Sequence, residues 1–111
     1  MHSDALALGR RAMALLDELA RFTDEPGRLT RLYLSPAHRQ AAEATLGLMR
    51  QAGLEAGIDA AGSVVGRLAG RDPAAPAVLI GSHIDSVVDA GLEAGLPHQA
   101  ERLLRRLPVG R

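Results

Sequence analysis

Val78-Leu79-Ile80-Gly81-Ser82-His83-Ile84-Asp85-Ser86 is the stretch on which the reading of this chain turns. An apolar run feeding a turn of small residues predicts a short buried strand, and such a strand holds His83 and Asp85 at the carboxyl end of a sheet, where open α/β folds place their sites. The His-x-Asp spacing allows the carboxylate to hold one ring nitrogen of an imidazole, which fixes the tautomer and leaves the other nitrogen for a metal. The competing reading is a hydrogen-bonded histidine at a strand end with a structural role alone.

Working back from this stretch, Ser63 to Ala69 is rich in Val and reads as a strand, followed by a polar loop from Gly70 to Pro76. Leu54, Ala56 and Ile58 alternate with Glu55, Gly57 and Asp59 before an Ala60-Ala61-Gly62 turn, which predicts another strand and a tight connection. Ser35 supplies an N-cap oxygen and Pro36 a preset first-turn φ, so a helix runs from there with Ala41, Ala44, Thr45, Leu48, Met49 and Ala52 inward, ending at Gly53. Leu8, Ala12, Leu15, Leu16, Leu19 and Phe22 share one face of an earlier helix from Asp4 to about Phe22, which Thr23-Asp24-Glu25-Pro26-Gly27 stops. The expected order is α, α, β, β, β. After Gly91 a short Arg-rich helix is expected from His98 to Leu107.

The chain has 111 residues, 47% of them hydrophobic and 23% charged, which fits one folded domain with a modest core. Its 13 basic residues, all arginine, balance 13 acidic ones, and only 2% of residues are aromatic. Neither a polyanion-binding field nor a set of rings for stacking on bases is present, so nucleic acid is not an expected partner. With no cysteine, thiolate zinc sites and cysteine nucleophiles are excluded, and His and carboxylates remain as candidate metal ligands. The start lacks a basic region followed by an apolar core, and nowhere do about 18 apolar residues run together, so no membrane role and a cytoplasmic location are expected.

Several short motifs fall in one order: Arg31-Leu32, Ser35-Pro36-Ala37-His38-Arg39, Ala52-Gly53-Leu54, Asp59-Ala60-Ala61-Gly62, Val65-Gly66-Arg67 and Gly81-Ser82-His83-Ile84-Asp85-Ser86-Val87. This series resembles the beginning of the N-carbamoyl-L-amino acid hydrolase and allantoate amidohydrolase branch of the zinc aminoacylase/carboxypeptidase-like superfamily, over roughly Leu15 to Gly91. The resemblance implies an α/β fold with two N-terminal helices followed by a small sheet, the opening part of a larger catalytic domain. It implies a divalent metal cofactor, zinc or manganese, with His83 as a metal ligand and Asp85 as the catalytic-site carboxylate that orients it. The implied substrate is a small amide or ureido acid, its linear C–N bond cleaved by metal-activated water with a nearby Glu as general base.

After Gly91 the sequence departs from the family pattern. Leu92, Glu93, Ala94 and Gly95 stand where the family has Arg, an aromatic residue, a metal-bridging Asp and Gly, and Ala94 cannot bridge ions. Gly62-Ser63 stands in place of the more usual Gly-Asn. The paired glutamates and the dimerising lid domain have no counterpart. The expected division is therefore 1–91, the N-terminal portion of a metallohydrolase domain, and 92–111, a divergent Arg-rich tail produced by truncation or frameshift. His98 and Glu101 lie three apart on the expected tail helix, and Arg102, Arg105 and Arg106 cluster there; a solvated face is the reading for both. His38, just inside a helix start, is expected at the surface with no role. Two functional expectations follow: an incomplete amidohydrolase without turnover by itself, or a non-enzymatic module that self-associates or complements a separately encoded remainder.

Overall fold

The computed structural model describes residues 2–90. Helix α1 (His2–Ala20) and helix α2 (Pro36–Gln51) precede two strands, β1 (Glu55–Ile58) and β2 (Val64–Arg67), which form one antiparallel sheet. This is the expected pair of helices followed by a small sheet. The expected tail helix, His98 to Leu107, lies outside the described residues.

Local chemistry accounts for each boundary of α2. Ser35 sits extended at the N-cap, and its hydroxyl oxygen accepts from the His38 N–H at 3.2 Å, satisfying one of the first-turn donors. At the other end Gly53 adopts φ 88°, its N–H donates to Arg50 O, and Leu54 N–H donates to Met49 O, both at 3.0 Å. That pair of reversed bonds is a Schellman closure, which needs the left-handed conformation that Gly adopts without a Cβ clash. The chain leaves this cap already directed into β1.

The hairpin register pairs Glu55 with Arg67, Ala56 with Gly66, Gly57 with Val65 and Ile58 with Val64. Asp59 builds the turn, one carboxylate oxygen accepting from both Ala61 N–H and Ser63 N–H at 2.9 Å while Gly62 takes φ 85°. The helix α2 lies against this hairpin. A methyl group on Gly66 would come within 2.8 Å of Met49 Sδ and 3.1 Å of Leu54 Cδ1, so the bare backbone there permits the close approach. Ala37, Ala41 and Ala42 are the buried apolar side chains among the described residues. Small methyl groups of this kind contribute on the order of 0.8 kcal/mol each, so hydrogen bonding carries much of the specificity.

Three expectations need correction. The stretch from Ala77 to Gly81 is not a strand: it pairs with neither β1 nor β2, and Val78, Leu79 and Ile80 are 89%, 94% and 90% exposed. Apolar, β-prone residues make a strand only where a ladder partner and a covering face exist, and the hairpin supplies neither to them. Helix α1 ends at Ala20, and Leu8 and Leu16 on its apolar stripe are exposed, because α2 makes little contact with it. His38 is buried rather than at the surface. Its ring Nδ1 accepts from the Leu34 N–H at 3.3 Å, and the ring stands edge-on to Tyr33, centroids 5.4 Å apart.

Between the helices, Thr23 organises the connection. Its hydroxyl donates to Arg28 O at 2.6 Å and accepts from Thr30 N–H at 3.0 Å, while Asp24 N–H donates to Thr30 O at 2.6 Å. Asp24 then reaches forward, one carboxylate oxygen accepting from Leu32 N–H at 3.0 Å and the other from Ala37 N–H at 3.3 Å. The Ser35 hydroxyl and the Leu32 N–H are the main groups that hold the Asp24 carboxyl below its ordinary value.

Candidate functional site

The turn bearing His83 and Asp85 is attached to the rest of the molecule through residues 29–31. Ser86 N–H donates to Arg31 O at 2.7 Å and Arg31 N–H donates to Ser86 Oγ at 2.9 Å. Further along, Asp89 N–H donates to Thr30 Oγ1 at 3.0 Å and Ala90 N–H to Leu29 O at 2.7 Å. Two irregular segments thus run past each other in opposite directions and satisfy one another's backbone groups.

Arg31 reinforces this attachment with its side chain. Nε donates to Ile84 O at 2.9 Å, and Nη1 donates to Leu19 O at 2.6 Å and Phe22 O at 3.1 Å. The residue is only 8% exposed. Burial lowers the guanidinium below its ordinary value, and the nearby Asp24 charge opposes that shift. A guanidinium remains protonated under such conditions, so the contacts are charge-assisted.

Within the turn, His83 Nδ1 lies 2.7 Å from Asp85 O and 3.4 Å from Asp85 Oδ1. A backbone carbonyl only accepts, so in the neutral imidazole this contact is made by the tautomer with the proton on Nδ1, whose Nε2 keeps a lone pair. The shorter partner is the backbone carbonyl of Asp85 and not its carboxylate. Both side chains are accessible, at 79% and 46% exposure. The His-x-Asp spacing therefore does bring the two residues together, with the main chain making the tighter contact.

A metal ion is implied by the resemblance, and the donor set bears on it directly. Among the described residues no group of three or more His, Cys, Asp or Glu side chains converges on a point that could hold an ion. One imidazole nitrogen is short of the three protein ligands that catalytic zinc usually takes. The described residues therefore fit one ligand of a metal site and not a complete one. Ala94, His98 and Glu101 lie outside the described residues.

No protein-family profile matches the chain, and no solved structure matches it. Over 68 residues it is 42% identical to an N-carbamoyl-L-amino-acid amidohydrolase from Paenarthrobacter aurescens. The chain is similar to an amidohydrolase. The matched stretch is 61% of this chain and 16% of that relative, so the chain spans a small part of the relative's length. No helix among the described residues is long and apolar enough to cross a membrane.

Sequence reasoning pointed to His83 and Asp85 but passed over Arg31 as anything more than part of a motif. Nothing in the local pattern of Thr30-Arg31-Leu32 marks a buried arginine, since its acceptors come from residues 9, 12 and 53 positions away. His38 was missed for a related reason. Its partner is the N–H of Leu34, a residue that takes the left-handed backbone at φ 62°, which the local sequence does not announce.

Proposed function

We propose that this chain is the N-terminal portion of a metal-dependent amidohydrolase acting on a linear amide or ureido C–N bond, of the N-carbamoyl-L-amino acid or allantoate type. In this reading His83 contributes one ligand to a zinc or manganese ion and Asp85 orients it. The observation that carries the reading is the 42% identity over 68 residues to an N-carbamoyl-L-amino-acid amidohydrolase. The hydrogen bond from His83 Nδ1 to Asp85 O supports it, because it leaves Nε2 available as a ligand atom. The described residues supply one such ligand, and in this reading the remaining donors come from elsewhere.

The test is calorimetric titration of the folded chain with zinc and with manganese, beside His83→Ala, followed by an assay for ammonia release from an N-carbamoyl-L-amino acid. Weak binding by the wild type that His83→Ala abolishes, without hydrolysis, agrees with a single-ligand contribution. Metal uptake identical in both chains would remove His83 from the proposal.

A second reading, a non-catalytic module that docks on a chain carrying the missing donors, is favoured by the bare apolar stretch Val78-Leu79-Ile80. Hydrolysis that appears only on mixing with such a chain would join the two readings; a mixture that neither associates nor turns over would exclude the second.

A further inference from the structure

We infer that Arg31 is the positioning residue of the His83–Asp85 turn, its guanidinium and backbone together fixing the Asp85 peptide on which the His83 ring is held. The functional meaning of this inference rests on the reading of His83 as a metal ligand.

His83 is 79% exposed in its side chain, so packing does not hold the ring; its orientation depends on the bond from Nδ1 to Asp85 O. That carbonyl is only as well placed as the peptide that carries it. On one side of Asp85, Arg31 Nε holds Ile84 O; on the other, Arg31 O holds Ser86 N–H. A single residue therefore grips the backbone on both flanks of Asp85.

Arg31 is in turn fixed by α1. Its Nη1 donates to Leu19 O in the last turn of α1 and to Phe22 O just beyond it, and Leu19 O also accepts from the Phe22 N–H at 3.2 Å. The planar, forked guanidinium reaches the helix end and the turn at once, whereas an ammonium is a point charge on a flexible stem. Asp24 supplies the nearby opposite charge. The result is a path from the end of α1 through Arg31 to the Asp85 peptide and on to His83 Nδ1.

The inference is tested on the ring itself. Nitrogen-15 chemical shifts of the His83 imidazole, recorded at mildly alkaline pH without metal, report which ring nitrogen carries the proton. The wild type should show the Nδ1–H form. In Arg31→Ala, with the amide spectrum of α2 and the hairpin unchanged, the ratio of the two tautomers should move by roughly tenfold toward the value of a free histidine, the loss expected for one charge-assisted bond. Millimolar guanidinium should restore the wild-type shifts, and Arg31→Lys should not. An unchanged tautomer in folded Arg31→Ala would overturn the inference.

Should Arg31→Ala fail to fold, the wild-type chain decides. Arg31 Nε–H should exchange with water roughly tenfold more slowly than that of exposed Arg67, and equal exchange would overturn the inference. These readouts use neither metal nor substrate. The amidohydrolase reading can thus fail while the positioning role stands, and the reverse.

Discussion

Ser86 and Arg31 hold each other twice, the N–H of Ser86 on the carbonyl of Arg31 at 2.7 Å and the N–H of Arg31 on the hydroxyl oxygen of Ser86 at 2.9 Å. Replacing Ser86 by Ala leaves the first bond and removes the second, stranding a donor on a buried residue. The expected cost is about 1–2 kcal/mol. It should be read by urea denaturation, together with faster amide exchange at Arg31. An Arg31 amide as well protected in Ser86→Ala as in the wild type would show that the hydroxyl contributes nothing.

Asp24 provides a pH dependence whose sign follows from its contacts. Its carboxyl is held below the ordinary value of 3.8, chiefly by the Ser35 hydroxyl and the Leu32 N–H. A depressed carboxyl stabilises the fold above the unfolded-state value, and that stabilisation is lost as pH falls through the lower folded-state value. The urea midpoint should therefore drop below about pH 4. Asp24→Asn should flatten this drop, since an amide does not titrate in this range and so carries no linked proton. Equal slopes in the two chains would exclude Asp24 as the source.

The bare position of Leu79 makes a mutational contrast. A buried strand residue exchanged for a charge would cost several kcal/mol, whereas at an exposed site the change should stay within about 0.5 kcal/mol. Leu79→Asp is accordingly expected to leave the urea midpoint of the chain unchanged. A large loss would mean that the side chain is covered in solution, by another copy or by another segment.

Legibility in the sequence follows the distance over which each feature is determined. The N-cap at Ser35, the Gly53 terminus and the Asp59–Gly62 turn were legible because each is a bargain between residues a few positions apart. The fate of Val78-Leu79-Ile80 was not, since its apolar pattern states a preference for burial without stating whether a partner exists. His83 and Asp85 could be paired from their spacing alone. Their anchoring could not, because Arg31 is separated from Ile84 by 53 residues and from Ser86 by 55. His38 shows the same limit at short range, where its ring meets the N–H of Leu34, a residue with an unusual left-handed backbone.

The contact between Arg31 and Ser86 also orders events in time. Helix α2, its cap and the hairpin all lie inside the 55-residue span that this contact closes, and each forms from neighbours in sequence. Their formation shortens the effective loop before its ends must meet, which lowers the entropy to be overcome at closure. Chemistry-bearing residues at the end of the described chain are thus assembled last, on a scaffold already folded. The same sequence run backward lets the His83 turn detach before α2 or the hairpin, so a brief opening there exposes it without melting either.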